Sequence, residues 1–187
     1  MIVAGAVLAG GASRRMGRPK AFIEIDGVPM VGRVAAALHE AGIVDVAVVG
    51  GASGPFHDLG LAHVSDLHPG EGPLGGIVTS LTHHAPTADA VAVVSCDLLD
   101  PSPIAVRSLI GSLGSADVAV PVVDDHPQWT HAIWRTAGLD TLEAAFAGGA
   151  RAPRDAVGGL EVVSILDGAP GWYADADTPS DLPPPAR

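Results

Sequence analysis

Lys20 is the only lysine in a chain of 187 residues. It closes the run "LAGGASRRMGRPK" (Leu8–Lys20), directly after the apolar stretch "IVAGAV". Arg14, Arg15, Arg18 and Lys20 place four of the chain's ten basic residues within seven positions, on a body whose formal charge is −11. Glycines directly after a strand let backbone N–H groups approach a phosphate or a base without a Cβ in the way. Lysine and arginine then neutralise phosphate charge, arginine gripping two oxygens at once. Such a loop suits a small phosphorylated ligand, whereas the acidic balance argues against general nucleic-acid binding. Taken alone, the loop also reads as a glycine turn followed by a solvated basic run.

Two better-known phosphate loops fail on spacing. A Walker A loop has four residues between its glycines, with lysine next and then Ser or Thr. Here five residues separate Gly11 from Gly17, and Lys20 follows three later with no hydroxyl behind it. A dinucleotide fingerprint needs G-x-G-x-x-G and an acid at the end of the second strand. That second strand, "DVAVVGG", ends in Gly50-Gly51.

Acids that close strands stand at the rim where α/β folds bind their ligands. Asp97 stands at the end of the apolar run "DAVAVVSCD", the right kind of place; the alternative is a cap for the turn before Ser102. Asp66 ends "LAHVSD" and opens a glycine-rich loop, so an Asx-turn role competes with a ligand role. Cys96, the single cysteine, excludes a disulfide framework and a thiolate metal cage, and is compatible with a reducing cytoplasm. His83 and His84 are adjacent and cannot share a helix face; His126 and His131, five apart, would fall on opposite faces of one regular strand. No zinc site is expected from them.

The elements that must hold these groups alternate. Ile2–Leu8, Asp45–Gly51, Leu61–Asp66 and Asp89–Asp97 read as buried strands. Helices are expected from Pro29 to about Ala41, from Pro73 through "PLGGIVTSLTHH", and after Ser102 as N-cap. "DVAVPVV" and "QWTHAIWR" should face each other across "DDHP", followed by a helix around Leu139–Ala147, a strand in "LEVVSIL" and a capped turn at "TPSDL". The tail "PPPAR" is expected to fray. With 48% apolar residues, no repeat and no dividing linker, residues 1–187 read as one α/β domain, a sandwich around a mostly parallel sheet. Ligands sit at the carboxyl ends of such strands, so the loops Ala9–Lys20, Gly50–Pro55, Asp66–Gly75 and Cys96–Asp100 carry the interest. The short apolar start lacks a basic leader and reads as a strand, not a signal peptide, and no stretch is apolar enough to span a bilayer.

"LAGGASRRMGRPK" resembles the L-A-G-G-x-S-x-R-M-G-x-x-K motif of nucleotidyltransferases, in particular the molybdenum cofactor guanylyltransferases. Four further pieces follow in that family's order: "SDLHPGEGPLGGI" (Ser65–Ile77), "VSCDLLD" (Val94–Asp100), "DHPQWTHAIWR" (Asp125–Arg135) and "WYADADTPSDL" (Trp172–Leu182). The resemblance covers most of the chain and implies a three-layer, Rossmann-like nucleotidyltransferase fold. It implies transfer of GMP from GTP to the phosphate of molybdopterin cofactor, with Mg²⁺ and release of pyrophosphate. Lys20 and Arg15 would stabilise charge on the triphosphate, and Asp97 would hold the metal. Leu8, Ala9, Gly10 and Gly11 would read the base through backbone groups, Asp66 would lie near the sugar, and Gly72, Pro73 and Leu74 would wall the base. Arg151 and Arg154 match a basic place near the pterin, with a solvated helix start as the alternative. Product would pass to molybdoenzyme apoproteins or their chaperones in the cytoplasm.

Two departures matter. Asp175 and Asp177 stand where guanylyltransferases often carry asparagine. This supports a metal role for Asp175 or its neighbour, but aspartates here also occur in the related cytidylyltransferases. "LAGG" in the first loop, where those relatives carry L-A-A-G, favours guanine. Leu99 replaces a common proline with little expected effect on the chemistry. Cytidylyl transfer, transfer to another phosphorylated acceptor, and a non-catalytic nucleotide- or cofactor-binding protein are the alternative readings.

Overall fold

The computed structural model describes residues 1–11, 16–166 and 170–183. Strand β1 (Val3–Leu8) leads to a small hairpin of β2 (Glu24–Ile25) and β3 (Val28–Pro29), closed by Asp26-Gly27. Helix α1 (Met30–Glu40), strand β4 (Val46–Val49), helix α2 (Ser53–Asp58) and strand β5 (Ala62–Val64) follow. Next come α3 (Pro73–His84), β6 (Ala90–Ser95), α4 (Pro103–Ser112), β7 (Val118–Val123), β8 (His126–Pro127) and β9 (His131–Arg135). Helix α5 (Leu139–Ala147) and β10 (Val162–Ile165) complete the larger elements. Among the described residues no helix is long and apolar enough to cross a membrane.

The sheet runs β10-β7-β9-β6-β1-β4-β5, with β8 paired to β7. β1 lies parallel between β4 and β6, β5 extends β4, and β10 lies parallel to β7. Only β9, antiparallel to β6 and β7, and β8 break the parallel order among the described strands. The period-2 alternation of side chains divides the core. Ala90, Ala92 and Val94 of β6 pack toward Val34 and Leu38 of α1 and Leu109 of α4. Val91 and Val93 pack toward Ile77 and Leu81 of α3 and Phe146 of α5. Helices therefore cover both faces, the three-layer sandwich expected of alternating strands and helices.

The expected elements occupy their places, with α3 opening at Pro73 and α4 capped by the Ser102 hydroxyl, which accepts from the Ala105 amide. "TPSDL" forms a capping box between Thr178 and Asp181 around a turn of 3₁₀ helix. Two expectations need correction. Gly50–Pro55 is not a loop throughout, since α2 begins at Ser53 and anchors itself by Phe56, 1% exposed. His126 and His131 do not share a strand: β8 and β9 are separate, because Gln128–Thr130 leave the ladder between them.

Candidate active site

The parallel strands β1, β4, β5 and β6 deliver their carboxyl ends to one rim, where a cleft of about 350 Å³ opens. Leu8, Gly10, Gly11, Asp66, Gly72 and Pro73 line it, with Ser95 and Thr130 on the β6–β9 side. Two glycines make this close approach of loops possible. Gly50 has φ +79°, and a Cβ there would stand 2.9 Å from the Cα of Gly10. Gly72 has φ +90°, and a Cβ there would meet the Arg151 carbonyl at 2.8 Å. Any side chain at either place would strain the backbone and push apart the loops that shape the cleft.

Leu8 and Ala9 spend their backbone groups on the sheet. The Cys96 amide donates to the Leu8 carbonyl, and the Ala9 amide donates to Val49. Of the four residues expected to read a base through backbone groups, Gly10 and Gly11 face the cleft and Leu8 borders it with its side chain. Ala9 does not line it. Asp66 makes the expected Asx turn: Oδ1 accepts from the His68 amide and the Thr79 hydroxyl, both at 2.9 Å. Its Oδ2 lies 3.5 Å from where a Cβ on Gly10 would stand, so the same carboxylate borders the cleft. Gly72 and Pro73 form a wall of the cleft. Leu74 departs from the expectation, for its side chain is fully buried between α3 and the sheet.

At one end of this rim stands Lys20, on a turn of 3₁₀ helix. Its Nζ donates to Asp97 Oδ2 at 2.9 Å and to Asp177 Oδ1 at 2.9 Å. Burial pulls the ammonium down, but the hydrogen bonds and charges of Asp97 and Asp177 outweigh it and hold the pKa above its ordinary value. Asp97 Oδ1 accepts from the Ser95 hydroxyl, which joins the cluster to the cleft. Asp97 thus belongs to the site and not to the α4 cap, which Ser102 provides by itself.

The C-terminal segment completes the cluster by adding a short edge to the loop after β6. The Leu99 amide donates to Ala174 O and the Ala176 amide to Asp97 O, each at 2.9 Å, with Leu98 and Asp175 bridged between them. Ala176, fully buried against Met16, Ile23 and Met30, pins this edge in place. Asp175 and Asp177 flank that pin; Asp177 reaches Lys20 and Asp175 reaches His131, whose Nε2 lies 3.1 Å from Asp175 Oδ1. His131 and Ser95 are site residues that sequence reasoning missed. Ser95 carries a readable signal, two positions before Asp97 at the end of one strand. His131 does not, since its partner lies 44 residues away.

Asp97, Asp175 and Asp177 offer hard carboxylate oxygens, the donor type that suits Mg²⁺. Among the described residues no group of three or more His, Cys, Asp or Glu forms a cage of its own. A thiolate plays no part, because burial above all, with the Asp97 charge, pushes the Cys96 thiol up to about 12. Arg15 lies outside the described residues, as does Arg14. Arg151 is not a free basic group: it pairs with Glu71 at 2.8 Å and stacks over Phe146, bracing the loop before Pro73. Arg154 is exposed beside Asp155. His126 turns its Nδ1 to the Asp124 carbonyl and is a strand-turn histidine.

A glycine-lined cleft at the carboxyl ends of parallel strands, with a lysine held between carboxylates nearby, is the arrangement of an α/β protein that handles a phosphorylated ligand. Comparison with known proteins agrees. The family model of the MobA-like NTP transferase domain matches residues 5–161, and the chain belongs to that family. A molybdenum cofactor guanylyltransferase from Rhodobacter capsulatus is 34% identical over 183 residues, covering 97% of this chain and 94% of that one. A probable molybdenum cofactor guanylyltransferase from Chloroflexus aggregans is 30% identical over 199 residues, covering 97% and 92%. The crystal structure of molybdopterin-guanine dinucleotide biosynthesis protein A from Archaeoglobus fulgidus superposes with a TM-score of 0.77 at 25% identity, covering 97% and 95%.

Proposed function

We propose that this chain transfers GMP from GTP to the phosphate of molybdopterin cofactor and releases pyrophosphate. The observation that carries the reading is Lys20, held 2.9 Å from both Asp97 and Asp177, with Asp97 tied to the Gly10–Gly72 cleft through the Ser95 hydroxyl. An oxygen of the acceptor phosphate attacks the α-phosphorus, and the bond from that phosphorus to the bridging oxygen of the β-phosphate breaks. The electron pair leaves with pyrophosphate. Both reactants are anions, so the protein acts by positioning them and by placing positive charge where negative charge develops. Lys20 supplies such a charge, and Arg15 is assigned to the same task. The guanine ring lies against Gly10, Gly11, Gly72 and Pro73, and Asp66 stands beside the sugar.

Mg²⁺ is the cofactor of this reading, held by Asp97 together with Asp175. When bound, the ion neutralises phosphate charge and orients the triphosphate. Guanine is favoured over cytosine because the "LAGG" glycines border the cleft, whereas Asp175 and Asp177 are not among its lining residues. The reaction is assigned to the cytoplasm, with product passing to apoenzymes or their chaperones. Calorimetric titration of the purified chain with GTP, CTP and ATP, each with Mg²⁺, tests the reading. Selective binding of GTP supports it. Preference for CTP moves the chain to cytidylyl transfer, and failure of all three to bind overturns it.

A further inference from the structure

His131 is a polar side chain sealed in an apolar wall, and its one described side-chain partner is a carboxylate of the site. It sits on β9 opposite Val94 of β6 and is 2% exposed. With Leu98, Pro101, Trp172 and Tyr173 it lines a small cavity of about 20 Å³. Its Nδ1 is buried and has no hydrogen-bond partner among the described residues. Burying a polar atom without a protein partner is unfavourable, and an aliphatic side chain of similar size would avoid that penalty. The imidazole is therefore costly to the core and makes one described side-chain hydrogen bond in return, Nε2 to Asp175 Oδ1 at 3.1 Å. A carboxylate only accepts, so the proton of that contact is on Nε2.

The backbone of Asp175 is fixed by its bridge to Leu98 and by the flanking bonds of Ala174 and Ala176. Those bonds set the Cα but not the torsion of the carboxylate. Among the described residues only His131 holds the side chain itself, through Oδ1, and Oδ2 is left uncommitted. We infer that His131 is a positioning residue: it holds Asp175 by Oδ1 and so sets the orientation in which Oδ2 can serve as a ligand for a divalent cation. This rests on the nucleotidyl-transfer reading and deepens it. A hydrogen-bond partner behind a metal ligand typically changes metal affinity by about 10- to 100-fold.

The test uses Mn²⁺ as the probe, with free ion counted by electron paramagnetic resonance in the presence of GTP and the full chain. His131→Leu should weaken Mn²⁺ binding by about tenfold, and His131→Gln, whose amide reaches a similar position to Nε2, should restore most of the affinity. Asp175→Ala should lose at least as much, and adding His131→Leu to it should change nothing further. His131→Asn, with a shorter reach, replaces the Leu variant if the latter does not fold, and should behave as it does. Wild-type Mn²⁺ affinity in the Leu or Asn variant overturns the inference. So does an equal loss in Gln and Leu, or a His131 effect that survives in Asp175→Ala. Wild-type affinity in Asp175→Ala also overturns it, yet leaves the transfer reading intact, since that stands or falls on GTP binding by calorimetry.

Discussion

Lys20 Nζ and Asp97 Oδ2 are 2.9 Å apart although 77 positions separate them in the chain. The contact joins the loop after β1 to the loop after β6, two neighbouring parallel strands. A lysine held by carboxylates from two other segments is a charge fixed in place, which is what preorganised charge stabilisation requires. Lys20→Ala should lower turnover by about 10²- to 10³-fold, the usual loss for one such donor. Its melting temperature should stay near that of the wild type, since the lysine is on the site's rim and not in the core. Lys20→Arg should restore only part of the rate, because a planar guanidinium does not replace a point charge held between two carboxylates. Steady-state pyrophosphate release read beside a thermal melt checks both.

Asp97→Asn keeps the shape of the side chain and an oxygen for the Ser95 hydroxyl, but removes the charge. Metal-dependent transfer should fall below detection while circular dichroism and melting are preserved. Normal Mg²⁺-dependent turnover in this variant would reassign the metal to Asp175 and Asp177.

Gly50→Ala and Gly11→Ala separate loop shape from ligand contact. At Gly50, positive φ and the 2.9 Å approach to Gly10 predict strain of about 1–3 kcal/mol, with loss of GTP affinity as the cleft deforms. At Gly11 a Cβ meets nothing within 4 Å of the protein, so the fold should keep its stability. Gly11 lines the cleft, so the added methyl should weaken GTP binding. Urea denaturation and calorimetry on both variants read the two effects apart.

These residues also show what a sequence can and cannot reveal. Lys20 and Asp97 were legible because each stands in a short segment whose chemistry is local: a lone lysine closing a glycine loop, and an acid closing an apolar strand. The strand–helix alternation was legible through apolar periodicity and through punctuation such as Pro73 and Ser102. Helix α2 was hidden because "GASGPFHD" is rich in turn residues, and only tertiary burial of Phe56 makes a helix of it. Leu74 was placed against a base by its motif, whereas the rotation of α3 turns it to the core. The roles of Asp175, Asp177 and His131 depend on a C-terminal edge docking beside Leu98, a contact between segments about 75 positions apart that no local pattern encodes.

A pH effect arises away from the site. His84 is 1% exposed, 3.3 Å from Asp45, with the His83 ring edge-on at 4.6 Å. Burial lowers its pKa from 6.5; the Asp45 charge opposes this and the His83 charge adds to it. A histidine whose folded pKa lies below its unfolded value binds fewer protons in the fold. Stability is therefore unaffected well above pH 6.5 and is lost as pH falls through 6.5 toward the lower folded value. His84→Gln should flatten this part of the stability–pH curve, measured by urea denaturation between about pH 7.5 and 5.5.

The decisive experiment incubates the purified chain with GTP, Mg²⁺ and molybdopterin cofactor and follows pyrophosphate together with the dinucleotide product by mass. The wild type should form the guanine dinucleotide in step with pyrophosphate, and Lys20→Ala should form almost none. Pyrophosphate release that needs no acceptor, a cytosine product from mixed nucleotides, or an unimpaired Lys20→Ala variant would contradict the transfer assigned to this cleft.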